Sequence, residues 1–247
     1  MTDQTLERSI ALLQQVARDH APAVFASSLG LEDMVLLDLI NRHARSIKVF
    51  TIDTGRLPPD TLDLLARAEA HYRMRIAVYA PDHRALEAYV RVNGINGFRD
   101  SIIQRKDCCA VRKVEPLGRA LQGQRAWVTG MRRDQAPSRN DARDREFDAA
   151  RGLHKFNPLI DWSLGQVRTY IKAHDVPYNP LHDQGYPSLG CAPCTRAIGP
   201  DEDVRAGRWW WEATEHKECG LHIASAHTAS TEASLAGNAP GAVASVA

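Results

Sequence analysis

The sequence predicts an α/β fold in which a mainly parallel sheet is covered by helices on both faces. Two observations carry this. Short runs rich in β-branched and aromatic residues alternate with amphipathic stretches of helical period through the first two-thirds of the chain, an order that builds parallel sheets through helical crossovers. A chain of 247 residues with 44% hydrophobic side chains is also long enough to bury one substantial core.

The elements follow in order. Met1 to Arg18, MTDQTLERSIALLQQVAR, carries early acidic residues and apolar residues at helical spacing. It reads as an amphipathic helix and not as a signal peptide. Ala23–Ser27, Ile47–Asp53, Arg75–Tyr79 and Ala126–Thr129 read as buried strands. Between them lie helical patterns at Leu31–His43, Thr61–Tyr72, Arg84–Arg91 and Val114–Leu121. Arg132 to Arg151 holds six arginines and four aspartates without hydrophobic period, and is expected to be a mobile charged loop. Ser163 opens a further helix to about His174, with Gln166 at the capping-box offset. Pro177 to Gly199 is rich in Pro and Gly and should be irregular. From about Ser225 the chain is mostly Ala, Ser, Thr and Gly, the composition of a disordered tail. The expected organisation is one domain over 1–224, with a mobile C-terminal segment at about 200–224 and a disordered tail over 225–247.

Charge and length exclude several function classes. Lys plus Arg number 31 against 30 Asp plus Glu, so no global field points to nucleic acid or an anionic membrane surface. No apolar run approaches the roughly 20 residues of a membrane-spanning helix. The expected location is the cytoplasm, where thiols stay reduced. Five cysteines in that compartment serve more naturally as ligands or catalysts than as disulfides.

The cysteines divide by context. Cys108 and Cys109 are adjacent in KDCCAVRK, Cys191 and Cys194 form a C-x-x-C in GCAPCTR, and Cys219 stands alone in HKECGLH. Two separated pairs suit a four-thiolate site, either a structural zinc or an iron–sulfur cluster. Adjacent ligands are awkward for a small tetrahedral ion and easier for a cubane with several iron corners. The alternative is that Cys108 and Cys109 are small core residues and the C-x-x-C is a redox pair. Cys219 has His216, Lys217 and His222 nearby, and cationic neighbours favour the thiolate that a nucleophile needs.

Anion-binding signals accompany the cysteines. Ser27-Ser28-Leu29-Gly30-Leu31-Glu32-Asp33 follows the first strand and opens a helix, whose N-terminal N–H groups favour a negatively charged oxygen. Asp53-Thr54-Gly55 and Thr129-Gly130 end two further strands, at the edge where α/β sheets bind ligands. Lys113, Arg205, Arg208 and the trio Arg132, Arg133 and Arg139 form the kind of cationic set that a phosphosulfate requires. Of Trp209, Trp210 and Trp211, at least one should be buried.

The combination SSLGLEDMVLL, KDCCAVRKVEPL, TGMRRDQ, GCAPCTR, RAGRWWWE and HKECGLH closely resembles the assimilatory adenylyl-sulfate (APS) reductases, within the wider sulfonucleotide reductases that also include phosphoadenylyl-sulfate (PAPS) reductases. The resemblance spans roughly residues 20 to 223. It implies a Rossmann-like adenine-nucleotide-binding fold, and a 4Fe–4S cluster on Cys108, Cys109, Cys191 and Cys194. By the same resemblance Lys113, Arg205 and Arg208 hold the phosphosulfate, while Ser27, Ser28, Gly130 and Arg139 belong to the nucleotide pocket. Cys219 matches the nucleophile. The implied activity is reduction of adenylyl sulfate to sulfite and AMP through a Cys219 S-sulfonate, with thioredoxin or glutaredoxin as reductant. Related enzymes often assemble as oligomers. Both cysteine pairs favour APS over PAPS as substrate, because PAPS-dependent relatives commonly lack them. Two rival readings are a PAPS reductase and a non-catalytic sensor bearing a cluster or zinc, with Cys219 as a redox switch.

Overall fold

All four expected runs form strands of a parallel sheet in the computed structural model, which describes residues 3–136 and 139–213, but the run at Arg75–Tyr79, expected to be buried, is a short edge strand with Ala77 and Val78 exposed. The chain opens with helix α1 (Asp3–Asp19), then β1 (Ala23–Ser27), α2 (Leu31–His43), β2 (Lys48–Ile52), α3 (Pro59–Tyr72), β3 (Ala77–Tyr79) and α4 (His83–Asn93). A helical run follows, α5 (Ile102–Cys109), a π turn (Ala110–Val114) and α6 (Glu115–Leu121), and leads to β4 (Ala126–Val128). Strands β5 (Arg145–Asp148) and β6 (Leu153–Phe156) and helix α7 (Leu164–His174) complete the regular structure.

The sheet order is β3-β2-β1-β4-β6-β5. Every neighbouring pair is parallel except β5 with β6. Chain order runs outward from β1 through β2 to β3, then resumes on the other side of β1 with β4. The carboxyl ends of β1 and β4 therefore flank the topological switch point, where sheets of this kind open a crevice.

The strand period of two assigns side chains to the two faces. Phe25, Val49 and Val128 join the larger core with α1, α2, α3 and α7. Their neighbours Val24, Phe50 and Trp127 face the opposite way, against Leu117, Ala120 and Leu121 of α6. Helix α2 is buried nearly all round, from Leu31 to Ile40, because it lies between the sheet and the outer helices. The expected capping box at α7 is present: Ser163 Oγ accepts from Gln166 N at 3.2 Å, and Gln166 Oε1 accepts from Ser163 N at 2.7 Å.

The expectation of a charged loop over Arg132–Arg151 needs correction, since that stretch contains a short turn at Arg133–Gln135 and the edge strand β5. Its charges are matched locally. Arg151 bonds Asp148 at 2.8 Å, and Lys155 of β6 bonds Glu146 of β5 at 3.2 Å while lying over the Trp127 ring. An edge strand of alternating exposure tolerates such side chains and resists pairing with other chains. Among the described residues, no helix is long and apolar enough to cross a membrane. The expected tail over 225–247 and Cys219 lie outside the described residues.

Candidate active site

The carboxyl ends of β1, β2 and β4 open into a cleft of about 260 Å³, well beyond one water's share of about 30 Å³. Ser27, Ser28, Gly130, Arg139, Lys113, Arg205 and Arg208, all singled out from the sequence, line this one cleft. Cys108, Cys109, Cys191 and Cys194 line a second, smaller pocket together with Arg56, Arg105 and Arg112. Lys113 borders both.

Each group reaches its place for a local reason. The turn after β1 is closed by Asp33, in the first turn of α2. Ser28 N and Oγ both donate to Asp33 Oδ2, at 2.5 and 2.6 Å, and the Gly130 N–H also bonds this carboxylate. Burial nonetheless pushes the Asp33 carboxyl up to about 6, with those hydrogen bonds opposing. So the Ser28 donors, expected to face an anion, are engaged by an internal carboxylate. The sequence places Asp33 in the turn that opens the helix but gives it no role in the site. An acid in a helix's first turn resembles ordinary dipole stabilisation, and only the fold brings Gly130 against it. Gly130 has no room for a side chain, since a Cβ there would lie 2.1 Å from Asp33 Oδ1.

Arg132 and Arg133 are committed elsewhere. The buried Arg132 donates from Nε to Glu32 Oε1 at 2.8 Å and pairs with Asp134, while Arg133 pairs with Asp161. Arg139 bonds Gln135 Oε1 at the cleft wall.

Arg205 and Arg208 are delivered by a return of the chain. Arg208 bridges to Thr195, and Trp209 N donates to Cys194 O at 3.2 Å, so the segment is bound to the C-x-x-C itself. Arg208 is buried and donates to Leu189 O at 2.9 Å. It crosses Gly190 so closely that a Cβ there would lie 2.3 Å from its Nη2. Of the three tryptophans, Trp209 is fully buried, with the guanidinium carbons of Arg105 and Arg208 each 4.7 Å from its ring centroid. Arg105, itself buried, makes a two-pronged ion pair with Glu212 at 2.9 and 2.8 Å.

The adjacent cysteines end α5 immediately before the π turn, a helical irregularity that often marks functional sites. That turn contains Arg112, whose Nη1 donates to Thr54 O at 2.6 Å, and Lys113. Thr54 Oγ1 in turn lies 3.2 Å from Cys191 Sγ. All four thiols are free of disulfides. Burial pushes Cys194 up to about 12, with Cys191 and Cys109 adding to it, and burial also raises Cys108. At Cys191 burial is outweighed by Lys113, Thr54, Arg208 and Arg112, and the net shift is downward.

Four thiols surround one pocket, a donor type that suits a zinc ion or an iron–sulfur cluster, while among the described residues no group of three or more His, Cys, Asp or Glu side chains is arranged to hold a metal ion. Arg112 Nε is buried there without a partner among the described residues, a donor of the kind that bonds cluster sulfur. Thiols that resist ionisation together become thiolates when a metal supplies the compensating charge.

Comparison with known proteins identifies the family and the fold. Residues 22–197 match the phosphoadenosine phosphosulfate reductase domain. Relatives named adenosine 5'-phosphosulfate reductase include that of Allochromatium vinosum, 58% identical over 87% of this chain and 84% of its own length. That of Burkholderia cepacia is 50% identical over 88% and 87%. Among solved structures, the PAPS reductase of Candida auris in complex with phosphate superposes with a TM-score of 0.67 at 28% identity, covering 79% of this chain and 93% of that one. The FMN adenylyltransferase of Candida glabrata shares the fold, with a TM-score of 0.53 at 17% identity over 87% and 75%. With a domain match across most of the described residues and relatives at this identity over nearly their whole length, the chain belongs to the phosphoadenosine phosphosulfate reductase domain family.

Proposed function

We propose that this chain reduces adenylyl sulfate to sulfite and AMP in sulfate assimilation, with a thioredoxin- or glutaredoxin-type dithiol as reductant. The observation that carries the reading is the junction at Lys113, which lines both the cleft at the strand ends and the pocket of four thiols. The relatives from Allochromatium vinosum and Burkholderia cepacia, both named adenosine 5'-phosphosulfate reductase, support the same substrate.

On this reading the adenosine lies at the strand ends near Ser27, Ser28 and Gly130, and the phosphosulfate meets Lys113, Arg205 and Arg208. The Cys219 thiolate attacks the sulfate sulfur, the bond from that sulfur to the bridging phosphate oxygen breaks, and AMP leaves. Developing charge on the leaving phosphate is stabilised by those fixed cations. The S-sulfonate on Cys219 is then resolved by a reductant thiolate attacking Cys219 Sγ, which expels sulfite and forms a mixed disulfide. The reductant's second thiol frees Cys219 and closes the reductant's own disulfide. Two thiols are oxidised to one disulfide as sulfate sulfur is reduced to sulfite.

Cys108, Cys109, Cys191 and Cys194 are proposed to hold a 4Fe–4S cluster. It would supply structure and charge beside the phosphosulfate without changing oxidation state. Cytoplasmic residence belongs to the same proposal, because free thiols need a reducing compartment. The test is sulfite release from APS and from PAPS with reduced thioredoxin. Faster turnover of APS is expected. Preference for PAPS would move the chain to the neighbouring substrate class, and failure with both would leave a non-catalytic sensor.

A further inference from the structure

His182 is a polar group of the cleft that neither the motif reading nor the mechanism uses. It sits in the short helical turn Pro180–Gln184, is 7% exposed, and lines the same cleft as the strand-end serines. Its tautomer follows from its partner. Nδ1 lies 2.8 Å from Tyr186 O, and a carbonyl oxygen only accepts, so Nδ1 carries the proton. Nε2 is left as a bare lone pair, buried and without a hydrogen-bond partner among the described residues. Such an atom is costly to bury unsatisfied. Burial also holds the imidazole below its ordinary pKa, so it stays an acceptor at neutral pH. Glu32, Arg168 and Asp183 are the charged groups that act on it, two acids and one base.

A nucleotide placed with its anionic end at Lys113, Arg205 and Arg208 brings few hydrogen-bond donors into the rest of the cleft: the ribose hydroxyls and the adenine amine. We propose that His182 Nε2 accepts a hydrogen bond from a ribose hydroxyl of the bound nucleotide and thereby selects a free hydroxyl over a phosphorylated one. A phosphate ester at that oxygen has no proton to give and would set its own oxygens against the lone pair, with Glu32 close by. This rests on the adenylyl-sulfate reading above, but it is testable by binding alone.

The experiment measures calorimetric affinities of the full chain for AMP, 2′-deoxy-AMP, 3′-deoxy-AMP and purine riboside 5′-phosphate, which lacks the amine. It compares wild type, His182→Phe and His182→Gln. In wild type, removing one of the two hydroxyls should weaken binding by about tenfold to hundredfold, the effect of leaving a buried acceptor unpaired. In His182→Phe the same removal should cost less than about threefold on that scale. His182→Gln, which keeps an acceptor, should restore part of the sensitivity and shows that the site still folds. Equal sensitivity to both deoxy-nucleotides in wild type and His182→Phe overturns the proposal. So does coupling of His182 to the amine instead of a hydroxyl. Loss of hydroxyl coupling in the variant, in a chain that fails to release sulfite from APS, would uphold this contact while sinking the reductase reading.

Discussion

Replacing Gly130 by alanine tests whether the strand-end turns are packed as tightly as they look. An ideal Cβ at 130 meets Asp33 Oδ1 at 2.1 Å, and both Asp33 Cγ and Glu32 Cβ at 3.2 Å. Real Cβ contacts essentially never fall below 3.0 Å, so the carboxylate must retreat by close to an ångström. It cannot do so freely, because its other oxygen holds Ser28 N and Oγ at 2.5 and 2.6 Å. Overpacking of this kind costs about 1–3 kcal/mol, and surrendering one charge-assisted bond adds about 1.5–3 kcal/mol. At about 2–4 °C per kcal/mol for a domain of this size, thermal unfolding followed by circular dichroism should shift down by roughly 5–20 °C. Affinity for AMP should fall with it, because the Ser27-Ser28 turn moves. The companion variant Asp33→Ala relieves the collision, so the double variant should lose less than the sum of the two singles. A Gly130→Ala protein within about 2 °C of wild type, or strict additivity with Asp33→Ala, would show that the two turns are not in contact as described.

Three further outcomes follow from groups already described. Glu212→Ala removes the two-pronged carboxylate partner of the buried Arg105 guanidinium, and should cost about 3–5 kcal/mol in chemical denaturation; a loss under about 1 kcal/mol would mean the pair behaves like a surface bridge. Asp33 has a folded pKa raised from 3.8 to about 6, so its stabilising share is fully present below the unfolded value and is lost as pH rises through about 6. Relative to Asp33→Asn, wild type should therefore lose on the order of 2 kcal/mol between pH 4 and pH 7, and a pH-independent difference between the two proteins would contradict the burial of that carboxylate. Cys219→Ser should give an inactive protein that keeps its iron and sulfide, whereas Cys108→Ser should lose them. Iron analysis and sulfite assay separate the two, and normal sulfite release from Cys219→Ser ends the nucleophile assignment.

Where local pattern and tertiary packing agree, the fold was legible. The four predicted strands and the α7 capping box needed only period and cap chemistry. The β5–β6 hairpin was hidden because Arg145, Glu146 and Lys155 read as solvent-facing charge, and the pairing of Glu146 with Lys155, which lies over the Trp127 ring, exists only after the strands meet. Helix α5 carried a usable signal that was passed over: Ser101 and Gln104 stand at capping-box spacing, and Ser101 Oγ does accept from Gln104 N at 3.1 Å. In the site, the cations that line the cleft were visible as motif residues. The internal neutralisation of Arg132 by Glu32, the closure of the serine turn by Asp33 and the lone pair of His182 were not. The first joins residues 100 apart, the last depends on which ring nitrogen holds a proton, and Asp33, though only five residues from Ser28, reads in sequence as an ordinary first-turn acid until the fold brings the Gly130 N–H to it.

The π turn at Ala110–Val114 has a consequence for how this helix can vary. A π turn is one residue wider than a regular turn, and one residue of an α-helix corresponds to about 100° of rotation. Deleting a single residue between 110 and 114 would let the run close into ordinary α-helix, with the cysteine end and the Leu117–Leu121 end still facing their own surroundings. What it would remove is the widened turn that carries Arg112 and Lys113. The same deletion in the regular helix on either side would turn one end about 100° against the other, so the π turn is the place in this run where a residue can be lost while core and thiols both keep their phase.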